Sequence, residues 1–195
     1  MKNKVYQLSD IADISTGYHF RKGIENDAAS LHYILQAKNI NHNYKIDYQT
    51  LEKTSFSTNN HNKYLLQKND IIMLSKGVNY YSSYVDKNIK NLIPTSNLLV
   101  LRPKREIVLT EYIWWYLNHP DTQNTLKQLS QGIAIRHISK SKLEELSIPV
   151  PDLKTQKLII RIYKLKTREK ELFEKIHQKK EQLFNKVLLG KARKG

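Results

Sequence analysis

Ser147-Ile-Pro-Val-Pro-Asp152-Leu-Lys-Thr-Gln156 is the stretch on which the organisation of this chain turns. Prolines at 149 and 151 remove two backbone donors and push the residues before them into extended backbone, so 147–152 is not helical. After Asp152 no Pro or Gly interrupts the sequence until Gly190, a fitting helix stop, and Thr155 is a candidate N-cap. Leu158, Ile162, Leu165, Glu169, Leu172, Ile176, Lys179, Leu183 and Lys186 follow an alternating four-three spacing. Six of these nine are apolar and Val187 stands beside the last, which makes a heptad seam broken by polar residues at 169 and 179. About 33 residues of such a helix make a rod of about 50 Å. Such a helix cannot hide its own stripe and needs a partner helix. The blander alternative, a terminal helix folded back on its own domain, suits a shorter segment, because this one is longer than a small domain is wide.

Charge changes at the same place. Residues 153–195 carry 14 Lys and Arg against 4 Glu, whereas 1–152 carry 19 against 14 acidic residues. The whole chain of 195 residues has 33 basic and 18 acidic side chains, a formal charge of +15. Polyanions are therefore the expected partners, nucleic acid ahead of anionic membrane. Cysteine is absent, which excludes a disulfide scaffold, a thiol nucleophile and Cys-ligated metal sites. No run approaches 18 apolar residues and MKNKVYQLSD lacks an apolar signal-peptide core, so a cytoplasmic location is expected.

Residues 1–152 mix strand and helix signals. Strands are expected at 5–8, 33–37, 70–75, 83–85 and 97–101, where Ile, Val, Leu and Tyr concentrate. Ser9-Asp-Ile-Ala-Asp-Ile14 reads as a helical turn capped by Ser9, and Ser15-Thr16-Gly17 turns into Tyr18-His19-Phe20. Residues 110–129 read as one helix with Tyr112, Ile113, Tyr116 and Leu117 on one face. Polar connections such as Ser57-Thr-Asn-Asn-His-Asn62 and Lys76-Gly77-Val-Asn79 lie between. The fold class expected is α+β, a mixed domain of short strands and helices followed by one long C-terminal coiled-coil helix.

Catalytic signatures are missing. The six glycines form neither GxGxxG nor a Walker loop, and the seven His residues show no HExxH or metal-ligand spacing. Pro120-Asp121 with Asp152-x-Lys154 loosely matches a metal-dependent nuclease pattern, but its second half falls in the proline-flanked linker. A methyltransferase would need a Gly-rich cofactor loop and an Asn/Asp-Pro-Pro-aromatic motif, and neither is there. A binding module is expected, with no metal and no cofactor of its own.

Several stretches resemble one family in order and spacing. Leu8-Ser-Asp-Ile-Ala-Asp-Ile-Ser-Thr-Gly17 looks like the entry of a target recognition domain from the specificity subunit of Type I restriction–modification systems. Leu66-Gln-Lys-Asn-Asp70-Ile-Ile-Met-Leu-Ser75-Lys-Gly77 and Pro94-Thr-Ser96-Asn97-Leu-Leu-Val-Leu-Arg102-Pro103 are similar to its successive strands. Gly132, followed by Ile138-Ser-Lys-Ser-Lys-Leu143-Glu-Glu-Leu146-Ser-Ile-Pro149, resembles its passage into the long helix, and Leu188-Leu189-Gly190 the end of that helix. Members usually carry two recognition domains and two helices in about twice this length, so this chain looks like a half-size form.

The resemblance implies a recognition domain over 1–152, a spacer and dimerisation helix over 153–190 and a basic tail over 191–195. It implies a non-catalytic subunit that brings an adenine methyltransferase, and possibly a restriction motor, to an interrupted DNA target. S-adenosylmethionine and ATP with Mg would belong to those partners. A homodimer, or pairing with another specificity chain, would join seams at Leu158, Ile162, Leu165, Leu172, Ile176, Leu183 and Val187. Planar or forked donors on expected loops make Tyr18, His19, Arg21, Lys38, Asn39, Lys76, Asn79, Tyr80, Tyr81, Arg136 and His137 the candidate DNA-reading residues. Gly17, Gly77 and Gly132 are expected to aim those loops, and Pro149 and Pro151 to stiffen the junction. The competing reading is a free-standing nucleic-acid-binding protein with no methyltransferase partner.

Overall fold

The computed structural model of the chain describes residues 4–20, 23–41, 43–55, 61–130 and 136–193. Two compact units are present, Met1–Gln156 and Lys157–Gly195. In chain order the elements are β1 (Lys4–Gln7), α1 (Leu8–Ile11), β2 (Ala12–Thr16), β3 (Tyr33–Leu35), β4 (Glu52–Lys53), β5 (Ile71–Leu74), β6 (Ser82–Tyr84), β7 (Leu92–Pro94) and β8 (Leu98–Pro103). There follow α2 (Thr110–Asn118), α3 (Pro120–Leu129), α4 (Lys140–Glu144), β9 (Ser147–Val150) and α5 (Leu153–Ala192). The class is α+β with a long C-terminal helix.

Strand pairing explains the core of the first unit. An antiparallel sheet runs in the order β2-β8-β5-β6, a second sheet in the order β4-β3-β7, and β1 pairs with β9 as a ribbon. Ile72 stands opposite Val100 and Leu74 opposite Leu98, on the face that joins Leu35, Ile46, Leu66 and Leu92 in one cluster. On the other face Ile71 meets Leu101 and Met73 meets Leu99. Both faces are covered, which is why Ile71-Ile-Met-Leu74 is a continuous apolar run instead of an alternating one. Each such buried side chain contributes about 1.5–3 kcal/mol. Helix α2 seals the β6 edge: Trp114 Nε1 and Asn118 Nδ2 donate to Ser82 O at 3.0 and 2.9 Å.

Three local readings of the sequence are corrected. The helical turn after β1 is capped by Gln7, not Ser9, through a reciprocal pair with Asp10, and it ends at Ile11 so that Ala12–Thr16 can pair with β8. Residues 110–129 form two helices, because Pro120 cannot donate into a continuing helix and instead opens α3 after an extended His119. The long helix is capped by Asp152, not Thr155: Asp152 Oδ1 accepts from Thr155 N at 3.0 Å and Oδ2 from Thr155 Oγ1 at 2.8 Å.

The junction itself is closely bonded. Strand β9 ends the ribbon with Val5 opposite Pro149, and Tyr112 Oη donates to Pro149 O at 2.6 Å. Gln156 is fully buried and accepts from Leu109 N at 2.9 Å while donating to Pro151 O at 2.8 Å. Its amide ties the first turn of α5 to the start of α2, which follows Leu109. Helix α5 has 40 residues, about 60 Å. It passes through Gly190 to Ala192, because that glycine keeps a helical backbone and does not take the positive φ of a helix stop. The seam side chains Leu158, Ile162, Leu165, Leu172, Ile176, Leu183 and Val187 are 43–64% exposed. No helix among the described residues is long and apolar enough to cross a membrane.

Candidate nucleic-acid interface

A cleft of about 570 Å³ opens in the first unit where five separate stretches converge. Tyr18, His19 and Phe20 follow β2; Gln36, Ala37 and Lys38 follow β3; Glu52 lies on β4; Lys76 follows β5; Thr95, Ser96 and Asn97 join β7 to β8. Gly17 makes this convergence possible. A Cβ there would lie 2.2 Å from Thr95 O and 2.5 Å from Pro94 O, so only glycine lets the chain cross the strand end so closely. Tyr18 is then held on both sides, its N donating to Pro94 O at 2.7 Å and its O accepting from Ser96 N at 2.8 Å. Its ring meets Phe20 edge-on at 4.8 Å and Tyr64 at 5.2 Å, forming the apolar wall of the cleft over Ile34 and Ile93.

Polar groups line the remainder. His19 Nδ1 lies 3.3 Å from Ser96 Oγ. Lys38 Nζ donates to Glu52 Oε1 at 2.5 Å, and Gln36 Nε2 donates to Glu52 Oε2 at 2.7 Å. The Lys38 contact holds the Glu52 carboxyl below its ordinary value. Among the described residues no group of three or more His, Asp or Glu is placed to hold a metal ion.

Of the residues singled out in the sequence, Tyr18, His19, Lys38 and Lys76 share this cleft. Arg136 and His137 are brought beside Lys76: Lys76 bridges His137 in antiparallel fashion, and Gly77 N donates to Arg136 O at 3.2 Å. Gly77 has φ +117°, a conformation that favours glycine. Asn79 is half-buried on that loop, and Tyr81 packs against Tyr44 at 4.6 Å. Arg21 and Gly132 lie outside the described residues.

Asn39 and Tyr80 are corrections. Both are fully buried and have no surface to offer a base. Asn39 Nδ2 donates to Thr50 O at 2.9 Å and to Thr50 Oγ1 at 3.0 Å, while its Oδ1 accepts from Gln36 N at 2.8 Å. Tyr80 is clamped through its backbone to Gln123, which accepts from Tyr80 N at 3.1 Å and donates to Tyr80 O at 3.0 Å. Gln36, Glu52 and Ser96 were missed. The only sequence signal for them was the polar Gln36-x-Lys38 pair at a strand end, and a carboxylate in a basic chain gave none.

Comparison with known proteins places this geometry. The family model described as Type I restriction modification DNA specificity domain matches residues 1–184. A Type I restriction enzyme specificity subunit, MjaVIII, of Methanocaldococcus jannaschii is 30% identical over 98 residues, which is 50% of this chain and 22% of that protein. The HsdS subunit from Thermoanaerobacter tengcongensis has the same fold over 85% of this chain and 37% of its own, with TM-score 0.62 and 15% identity. The S subunit of a Type I system from M. genitalium matches with TM-score 0.55 and 16% identity, again over 85% of this chain and 41% of its own. The matched stretch is thus about a fifth of the curated relative and about two-fifths of the solved chains.

Proposed function

Because the chain belongs to the family of Type I restriction–modification DNA specificity domains, we propose that its first unit reads double-stranded DNA and that α5 couples the reading to partner subunits. The observation that carries this is the convergence of Tyr18, His19, Lys38 and Lys76 on one open cleft in a chain of net charge +15. Cations at the rim neutralise phosphates, and each phosphate contact adds about 0.9 to the negative slope of log affinity against log salt. Planar and forked side chains within the cleft and on the Lys76 loop supply base contacts.

The chain is a non-catalytic address. An adenine methyltransferase carrying S-adenosylmethionine does the chemistry, and an ATP-dependent restriction subunit completes the system; this chain takes no cofactor. It acts in the cytoplasm, where the DNA is. The exposed seam of α5 is buried against α5 of a second copy, antiparallel, so that two reading units address an interrupted target. The length of the helix then sets the number of unspecified base pairs, since about 60 Å corresponds to between one and two turns of DNA.

Co-expression with the cognate adenine methyltransferase in a methylation-free host, followed by N6-methyladenine sequencing, tests the reading. A two-part motif with a fixed gap is expected. Inserting one heptad after Leu172 lengthens that gap. Absence of methylation in the presence of both chains, or methylation without this chain, overturns the function.

A further inference from the structure

The proposed DNA-reading cleft contains one carboxylate among the described residues that line it, Glu52. Facing a polyanion, an acid there weakens binding unless it does something a cation cannot. The partly exposed Glu52 side chain also has both oxygens engaged by separate donors, Lys38 at 2.5 Å and Gln36 at 2.7 Å. The backbone that carries Gln36 is itself tied down. The buried Asn39 amide ties Gln36 N to Thr50, so the turn after β3 and the start of β4 are joined at the point where the three side chains meet. An ordinary surface ion pair contributes little and requires no such buried support.

We infer that Glu52 and Lys38 act together as an acceptor–donor couple that reads one base pair in the major groove. The inference rests on the DNA-reading function proposed above. Every base pair shows there an amino group, cytosine N4 or adenine N6, hydrogen-bonded to a keto oxygen, guanine O6 or thymine O4. Amino and keto groups therefore lie side by side at hydrogen-bond distance, about 2.9 Å. Glu52 Oε1 and Lys38 Nζ are side by side at a similar separation, 2.5 Å. The free lone pairs of the carboxylate accept from the amino group, and the remaining ammonium protons donate to the keto oxygen. A carboxylate has no proton to offer a keto group, so the couple senses which strand bears the amino group. Lys38 also offsets the repulsion between Glu52 and the phosphates. Gln36 and Asn39 are positioning residues: they hold the couple and touch no base.

Selection of binding duplexes from a randomised library, with the full chain as wild type, Glu52→Gln and Lys38→Met, tests this. Wild type enriches a motif. Glu52→Gln, whose amide either donates or accepts, loses about tenfold or more of its amino-over-keto discrimination at one base pair and keeps the other positions. Lys38→Met relaxes the same base pair. Thermal melts by circular dichroism establish that both variants fold. If Glu52→Gln keeps the whole motif and binds every duplex more tightly, the carboxylate merely damps Lys38 and the inference is overturned. It is overturned equally if the two variants relax different positions. A wild-type chain that enriches no motif sinks the DNA-reading function itself, and this inference with it.

Discussion

The two units of this chain treat apolar side chains in opposite ways. In the first, Ile71, Leu101, Ile113 and Leu146 lie at 0–6% exposure, and strands bring together residues far apart in sequence. In the second, Leu165, Phe173, Leu183 and Phe184 remain 60–65% exposed along one helix. The first unit has a core of its own. The helix leaves its stripe exposed, and if it pairs with a second copy as proposed, its stability follows protein concentration by mass action. The proposed reading and the proposed pairing rest on different units, so substitutions are expected to break either one alone.

The largest effect is expected at Gly17. Gly17→Ala drives a Cβ into two backbone carbonyls that no rotamer change can move. A loss of about 3 kcal/mol or more in the first unit follows, at the upper end of what overpacking costs, because backbone atoms must shift. Denaturant unfolding followed by tryptophan fluorescence reports it, because both tryptophans, Trp114 and Trp115, lie on α2 of that unit. The comparison then predicts that self-association through α5 survives.

The converse break lies in the seam. Leu165→Glu with Ile176→Glu keeps good helix formers but places charge in the stripe, and self-association measured by sedimentation weakens by about 100-fold or more, roughly 2.7 kcal/mol. The tryptophan-monitored transition of the first unit stays where it was. A smaller effect within the first unit comes from Arg102. Its Nε and Nη2 donate to Asp70 Oδ1 and Oδ2 at 2.8 and 2.7 Å, and the Asp70 side chain is only 2% exposed. Arg102→Met leaves that carboxylate with Gln67 N alone among the described residues. Because Arg102 is 43% exposed, the expected loss is about 2 kcal/mol, below that of a fully buried broken pair.

How far the sequence disclosed this molecule follows the same division. The junction and the helix were legible because their signals are local: two prolines, then a four-three stripe with no Pro or Gly before Gly190. Strands β5 and β8 were legible as apolar runs. Strand β4 has two residues and β7 three, and their pairing is decided by β3, which no local pattern contains. The same holds for the site. Lys76 was identifiable as a loop cation, but its bridge to His137 spans 61 positions. Asn39 was mistaken for a base reader because its partner Thr50 lies 11 residues away, and Tyr80 because Gln123 lies 43 away. Side-chain type was visible, whereas burial came from tertiary pairing.

The smallest expected effect sits where the two modes meet. Asp152 is exposed, yet its carboxylate accepts from the backbone and hydroxyl of Thr155, which holds it below its ordinary value. A lowered carboxyl stabilises the fold above its unfolded value, and that contribution is lost as pH falls through its folded value. Wild type should therefore be more stable than Asp152→Ala at neutral pH, with the gap narrowing in acid. Asp152→Asn, also a good N-cap, should melt close to wild type at neutral pH. The same variant separates a capping role from the nuclease pattern of Asp152-x-Lys154. If Asp152→Asn abolished a divalent-metal-dependent cleavage present in wild type, the helix cap would be a catalytic carboxylate instead. Unchanged DNA selection and an unchanged melt would leave Asp152 as the residue that starts the spacer helix.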